Sequence, residues 1–354
     1  MDRQIELAMR SPDFWYPQDF AETGTGVAAR ILPVALCPGS MLYNALGQAR
    51  RALTKPLRAD VKVICIGNLT VGGTGKTPTA IAVARQLTDR HNTPFFLTRG
   101  FGGRAAGPLA VDPSRHTSRQ VGDESLLLAR HAPTIVSHNR LKGAELAVEQ
   151  GADIIVMDDG FQNPTLVQDL SIIVVDAQRG FGNGRIIPAG PLRESITKGL
   201  ARAHAIVLMQ TDDDRSNWIT PDPLQNFRRP LINAWYQTWQ PATLESERVF
   251  AFAGIGRPQK FFQSAAKLGL HIVDTMAYPD HHAFTSSEFG IMVDRAETYG
   301  ACLLTTEKDF VRLTKQQQDL VHVLKGETCF ENSAQLDQLL ADRAFSSEVD
   351  TGSR

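Results

Sequence analysis

Cysteine is scarce in this chain of 354 residues. Only Cys37, Cys65, Cys302 and Cys329 occur, far apart and with no C-x-x-C pair. That spacing argues against a zinc module, a redox dithiol and the dense disulfide framework of a small secreted protein, and it fits a reducing, cytosolic setting. An excess of charge of one sign is missing too: Lys plus Arg total 37 against 38 for Asp plus Glu, leaving a net charge of −1. Such a chain has no overall field for gripping a polyanion, so nucleic acid is excluded as the expected partner. The opening MDRQIELAMRSPDFWYPQDF lacks the basic segment and apolar core of a secretory signal. An unbroken membrane span is also absent: residues 31–49 are uncharged, but Pro33, Pro38, Gly39, Asn44, Gly47 and Gln48 interrupt them. There is no internal repeat and no low-complexity tract.

What is present is ordinary globular material, 42% hydrophobic and 21% charged, enough to bury a full core in about two domains. After Pro38, the residues Met41, Leu42, Ala45, Leu46, Ala49 and Leu53 share one helical face, and Arg50, Arg51, Lys55 and Arg58 follow. Two readings fit: a helix packed on the protein's own core, or an in-plane anchor whose basic residues meet anionic headgroups. From Val61 short apolar runs alternate with helical patterns, as in a parallel sheet with crossover helices. VKVICIG, TPFFLTR, PTIVS, ADIIVMDD, LSIIVVDA, HAIVLMQ, VFAFAGI, LHIVDTMAY and ACLLTTE read as strands, and residues 79–87 as the helix after the first. The expected class is α/β: a P-loop parallel sheet with flanking helices, a second smaller α/β domain, and an N-terminal amphipathic helix. The expected segments are 1–58 for the N-terminal amphipathic stretch, 59–240 for the core, 241–330 for the smaller domain and 331–354 for a polar tail, of which SSEVDTGSR should fray.

The chemistry concentrates in GNLTVGGTGKTP, residues 67–78. Thr70, Val71, Gly72, Gly73, Thr74, Gly75, Lys76 and Thr77 are expected to wrap a nucleotide triphosphate. Glycines turn backbone N–H groups inward, Lys76 reaches the β- and γ-phosphates, and Thr77 holds Mg²⁺. The first glycine of G-x-x-x-x-G-K-[ST] is replaced by Thr70. The run IIVMDDG supplies acidic partners, with Asp158 first and Asp159 beside it for the metal. A strand-end Asp is often only a cap, so Asp159 and the later Asp176 also read as structural.

Together with VGDE at 121–124, NRLKGAELA around Arg140, DDGFQ at 158–162, GNGRIIPAGPLRE at 182–194, PDHH at 279–282 and TTEKDFVRL from Thr305, this loop resembles the tetraacyldisaccharide 4′-kinases of lipid A biosynthesis. The motifs keep family order from about residue 10 to 325. The resemblance implies transfer of the γ-phosphoryl of ATP, with Mg²⁺, to the 4′-hydroxyl of tetraacyldisaccharide 1-phosphate, giving lipid IVA. It implies peripheral attachment to the cytoplasmic face of the bacterial inner membrane, which favours the anchor reading of residues 41–58, and a lipid A disaccharide precursor as partner. It also implies that Asp123 is the base and His281 its partner, although from spacing alone Asp123 reads as a helix cap and His281 or His282 as a surface histidine.

Arg140 and Arg193 are the expected phosphate forks, since a guanidinium matches phosphate oxygens bidentately, with Arg185 a weaker third and surface ion pairing the alternative for each. Gln162 is expected to support the metal-side loop. Asn163 stands where the family often has histidine. Lys308 and Asp309 read as structural. The rivals are a nucleotide-dependent switch or metallochaperone, a non-catalytic membrane scaffold and a soluble small-molecule kinase. A guanine-reading N-K-x-D is absent: HAIVLM is followed by Gln210-Thr211-Asp212-Asp213.

Overall fold

A computed structural model describes residues 12–17, 27–212, 214–241, 244 and 247–344. Two helices come first, α1 (Val27–Ala35) and α2 (Cys37–Leu53). The alternating core then begins with β1 (Lys62–Gly67), α3 (Lys76–Asp89), β2 (Pro94–Thr98) and a short β3 (Leu109–Ala110). Two short helices, α4 (Ser118–Val121) and α5 (Asp123–Ala129), lead into β4 (Thr134–Val136), α6 (Arg140–Glu149), β5 (Ile154–Asp158) and β6 (Leu170–Asp176). They are followed by α7 (Ile196–Arg202), β7 (Ala205–Met209) and β8 (Leu231–Trp239). The last third runs β9 (Arg248–Ala253), α8 (Pro258–Lys267), β10 (His271–Ala277), α9 (Ser286–Thr298), β11 (Cys302–Thr306), α10 (Glu307–Phe310), α11 (Lys315–Gln318), β12 (Val321–Phe330) and α12 (Ser333–Ala344).

The α/β class expected from the alternation is the one observed: twelve strands form one sheet in the order β10-β9-β11-β12-β8-β7-β6-β1-β5-β2-β4-β3. All pairings are parallel except β3 with β4 and β12 with β8. Strands β5 and β6 are buried at every position, as befits strands covered by helices on both faces. Because β1 lies between β5 and β6, with Ile66 beside Asp158 and Gly67 beside Ile173, the loop leaving β1 emerges between two strand ends that each finish in Asp. Carboxyl ends of parallel strands are where such folds bind ligands.

Three strands escaped the sequence reading: the two-residue β3, β8 and β12. β8 runs up to the expected boundary at 240, and β12 is half polar. β12 changes partner along its length: Val321 to Leu324 pair in parallel with β11, then Lys325 to Phe330 pair antiparallel with β8. That switch makes the sheet continuous into the last third. Around β9–β11 the apolar side chains form two further clusters, one centred on Val249, Ala251 and Phe261 and one on Phe250, Phe252 and Met292.

The polar tail expected over 331–354 is corrected for its first half. Residues Ser333–Ala344 form α12, whose Leu336 and Leu340 are fully buried against Ile64, Ile172 and Val174. The apolar residues were few enough to be overlooked, yet Leu336, Leu339 and Leu340 recur at helical spacing and share one face. The SSEVDTGSR end lies outside the described residues, as do residues 1–11. Leu340→Ala should cost about 2–4 kcal/mol of stability through the cavity it leaves. Urea unfolding would measure this, and a change within about 0.5 kcal/mol would mean that the helix is not part of the cooperative core.

Candidate active site

The loop after β1 begins extended, not turned. Thr70 bridges Leu192 in antiparallel fashion, Val71 N donates to Pro191 O at 2.8 Å, and Arg193 N donates to Leu69 O at 2.7 Å. An extended residue needs no glycine, which explains why threonine is accepted at position 70. The glycines are needed further on: Gly72 has φ 107° and Gly75 φ 90°. A Cβ at Gly72 or Gly73 would meet nothing within 4 Å, so this bare backbone faces open space beside a cleft lined by Tyr16, Thr74, Asp176 and Arg179. That is the form a phosphate cradle requires. Asn68 braces it by donating to Thr74 Oγ1 at 3.1 Å.

Lys76 and Thr77 open α3, whose N-terminus adds positive potential. Thr77 Oγ1 donates to Asp158 Oδ2 at 3.0 Å, while Asp158 Oδ1 is buried with no hydrogen-bond partner. Burial, reinforced by Glu124 and Asp159, pushes the Asp158 carboxyl up to about 7. A hydroxyl and an under-satisfied carboxylate set among like charges fit a hard cation. Among the described residues no three acidic, His or Cys side chains cluster around one point, so ATP oxygens and water would complete the shell, as Mg²⁺ commonly requires.

Asp159 takes a different part. It stands at φ 51°, accepts both terminal nitrogens of Arg193 at 2.9 and 3.1 Å, and lies 3.8 Å from Lys76 Nζ. Burial alone would raise its carboxyl, but Lys76 and Arg193 outweigh it and hold the group low. Gln162 supports the same corner, donating to Asn68 O at 2.8 Å and Glu194 Oε1 at 3.1 Å. Arg140 is buried, donates to Ser137 O, and keeps an unpartnered Nε; burial and nearby Arg99 lower it to about 10. Arg185 is directed elsewhere, onto Cys37 Sγ at 2.9 Å. Asn163 closes its own turn by accepting from Thr165 N and Leu166 N. Asp176 is a structural anchor: it accepts from Gln178 N and Arg179 N and pairs with Arg257 and Lys260.

Asp123 begins α5 directly after Gly122, whose φ of 86° few other residues would accept. Its Oδ2 meets His281 Nδ1 at 2.9 Å and Arg312 Nε at 2.8 Å. Burial pushes this carboxyl up, but the His281 hydrogen bond and the Arg312 charge prevail and hold it well below the usual carboxylate range. His281 itself adopts φ 61°. His282 turns away to Glu288 at 3.1 Å and stacks on Tyr278.

Arg312 is what the sequence reading missed, and Lys308, read there as structural, stands beside the same carboxylates. Arg312 is 3% exposed and spans Asp123, Asp309 and Gly254 O. Lys308 is paired with Glu124 at 3.4 Å and Asp280 at 3.3 Å; burial would lower it, but these carboxylates raise it. Asp309 does read as structural, holding Gly254 N and Thr306 Oγ1. The only signal for Arg312 was its place in TTEKDFVRL. Glu124, next to Asp123 in the chain, is near enough to Asp158 to raise its carboxyl and is itself held by Lys308, which brings the Asp123 cluster close to the end of β5.

A family model described as tetraacyldisaccharide-1-P 4′-kinase matches residues 32–344. A tetraacyldisaccharide 4′-kinase of Rhodospirillum centenum is 43% identical over 333 residues, covering 94% of this chain and 96% of that protein. One from Parvibaculum lavamentivorans is 45% identical over 306 residues, covering 86% and 87%. The solved structure of the "apo" form of LpxK from Aquifex aeolicus in complex with ATP superposes with a TM-score of 0.72 at 28% identity, covering 89% of this chain and all of that one. Likeness in sequence and in fold along nearly the whole described chain leads to one conclusion: the chain belongs to the tetraacyldisaccharide-1-phosphate 4′-kinase family.

Proposed function

We propose that this protein transfers the γ-phosphoryl group of ATP to the 4′-hydroxyl of tetraacyldisaccharide 1-phosphate, giving lipid IVA. Two charged groups linked through Glu124 support the reading: Lys76, Thr77 and Asp158 at the glycine-rich loop, and Asp123, His281 and Arg312 beside them. The 59–240 segment then carries the nucleotide, and the 241–330 segment contributes His281 and Arg312.

The loop of residues 70–77 binds the triphosphate, with Lys76 released from Asp159 toward the β- and γ-oxygens. Thr77 and Asp158 would hold Mg²⁺, which when bound neutralises phosphate charge. Arg140, its Nε still free, and Arg193 offer further donors to the transferring group. Asp123 orients the attacking hydroxyl by accepting its hydrogen bond. A carboxylate held this low is a weak base, but a loose phosphoryl-transfer transition state needs the proton only late. As the new P–O bond forms and the bond to ADP breaks, the alcohol proton passes to Asp123, and His281 shares it through the 2.9 Å contact. Against the switch alternative, Gln210 is occupied in packing, bonded to Asn233 and Ile219.

The acceptor is a lipid, and the helices before β1 suit a bilayer surface. No helix among the described residues is long and apolar enough to cross a membrane. Instead Ile31, Leu32, Val34, Met41, Leu42, Leu46 and Leu53 are exposed, Met41 by 73% and Leu53 by 87%. Arg51 and Arg58 are tied to Glu194 and Asp169, which ties this segment to the catalytic core. Burying each such side chain gains about 1.5–3 kcal/mol, enough in combination for peripheral attachment at the cytoplasmic face of the inner membrane.

Lys76→Ala and Asp123→Asn should each lower kcat by about a hundredfold or more with an unchanged circular dichroism spectrum. The assay is Mg-ATP plus tetraacyldisaccharide 1-phosphate, read as a lipid one phosphate heavier; wild-type turnover by Asp123→Asn would remove it as the proton acceptor. Arg312→Ala breaks a buried pair and should destabilise by roughly 3–5 kcal/mol. Because Arg312 depresses Asp123, that difference is complete above about pH 4, the unfolded value, and shrinks as pH falls toward the folded one. Denaturant unfolding at pH 7 and pH 3.5 would show it, and a pH-independent difference would contradict the assignment. The triple change Met41→Glu, Leu42→Glu and Leu46→Glu should abolish sedimentation with anionic vesicles, whereas undiminished sedimentation would exclude this face as the anchor.

A further inference from the structure

Two charged side chains close to Asp123, those of Asp280 and Lys308, still have no part in the transfer. Asp280 precedes His281 in the loop between β10 and α9, and Lys308 lies in α10, ahead of Arg312. The two oxygens of Asp280 do different things. Oδ1 accepts from His281 N at 3.0 Å and lies 3.3 Å from Lys308 Nζ, while Oδ2 stands 3.8 Å from His281 Nε2. The imidazole therefore has a carboxylate at each nitrogen, Asp123 bonded to Nδ1 at 2.9 Å and Asp280 facing Nε2.

This placement is maintained against local preference. His281 adopts φ 61°, a left-handed conformation that a histidine keeps only where its surroundings enforce it, and the bond from its own N–H to Asp280 Oδ1 is one such tie. Asp280 is in turn held by Lys308, which also reaches Glu124 at 3.4 Å, the neighbour of Asp123 in the chain. The contacts close a circuit that runs from Asp123 through His281, Asp280 and Lys308 to Glu124 and back along α5. Arg312 lies inside it, paired with Asp123 and 4.0 Å from Asp280. Among the described residues the remaining neighbours of the imidazole are the Phe101 ring, 5.6 Å away, and His282, which faces Glu288 instead. The side chains of Asp280 and His281 are 27% and 30% exposed, against 5% and 3% for Asp123 and Arg312, so Asp280 stands where the buried pair meets water.

We propose that Asp280 is a positioning residue of the phosphoryl transfer: Oδ1 fixes the backbone of His281, Oδ2 faces Nε2 and stabilises the imidazolium that forms when the alcohol proton reaches the ring, and Lys308 keeps Asp280 in that place. The inference rests on the kinase reading above and adds a third member to the Asp123–His281 pair. As the alcohol oxygen bonds to phosphorus, the bond to ADP breaks with its electron pair left on ADP, and the O–H proton moves by way of Asp123 to His281 Nδ1. The ring then carries a proton on each nitrogen, each facing a carboxylate, and it returns one to water on its exposed side. An opposite charge within about 4–6 Å favours the charged form of a titratable group, and a carboxylate that does not itself take the proton can still stabilise an imidazolium in this way. Asp123 needs such help, because Arg312 beside it makes the carboxylate a poor place for a proton to stay.

The test is the pH dependence of single-turnover rate and of kcat and KM for the full chain with Mg-ATP and tetraacyldisaccharide 1-phosphate in detergent. Asp280→Asn keeps an oxygen for His281 N and removes only the charge. It should lower kcat by about tenfold or more, leave KM for both substrates within about twofold, and move the acidic limb of the profile to lower pH by about half a unit or more, because the protonated ring loses one of its two carboxylates. Asp280→Ala, which also frees the backbone of His281, should lose more. Lys308→Arg should keep most of the rate, whereas Lys308→Met should lower it. In a His281→Ala background Asp280→Asn should cost no more than about a further twofold, since the two residues act as a unit. A fall in kcat with an unmoved acidic limb, or the same loss with and without His281, would make Asp280 a brace of its loop and overturn the proposal. Wild-type protein that forms no phosphorylated lipid would remove the kinase reading itself, whereas normal wild-type turnover matched by Asp280→Asn would remove only this inference.

Discussion

Asp123 lies in the interior of the protein between a guanidinium from α11's approach and an imidazole from the loop after β10, and most of the site depends on that contact. The carboxylate is 5% exposed and Arg312 3%. Neither charge is stable there alone, because removing one leaves the other desolvated. The chain segments that carry them, residue 123 and residues 281–312, are therefore held together. The same contact holds the Asp123 carboxyl low, so it is ionised at neutral pH.

Opposite, the charge pattern is reversed. Asp158, Asp159 and Glu124 lie close enough to raise or compete with one another, and the cations Lys76, Arg193 and Lys308 are distributed among them. Asp159 is satisfied by Arg193 and Lys76, Glu124 by Lys308, and Asp158 is left with an unpartnered oxygen beside a threonine hydroxyl. A divalent cation and a triphosphate would complete this arrangement, since one supplies charge for Asp158 and the other gives Lys76 a stronger partner than Asp159. The site is built to be incomplete without its substrates.

Much of this was legible beforehand where one short stretch does one job. Apolar runs ending in Asp-Asp or Gly-Asn-Leu marked the strands and their ends, and Thr77 meets Asp158 at 3.0 Å. The reading was weaker where a segment is only half apolar. β8 and β12 alternate in burial or change partners midway, and α12 buries a narrow stripe of leucines, so none rose above its polar surroundings. The Thr70 departure from the usual loop pattern, a puzzle in one dimension, follows from its bridge to Leu192, which is more than a hundred residues away.

The amino-acid sequence by itself determined the phosphate-binding chemistry, because a glycine-rich turn followed by Lys-Thr at a helix start is a local device whose parts are neighbours in the chain. It also determined the apolar and basic character of the segment before β1, since that depends only on helical periodicity. The partners of Asp123 were decided by the tertiary structure alone: Arg312 and His281 reach it from 189 and 158 residues away, and no spacing rule spans such distances. Tertiary packing likewise decided that Arg193 and Arg312 pair with carboxylates, because a guanidinium's role depends on the charge that folding brings beside it.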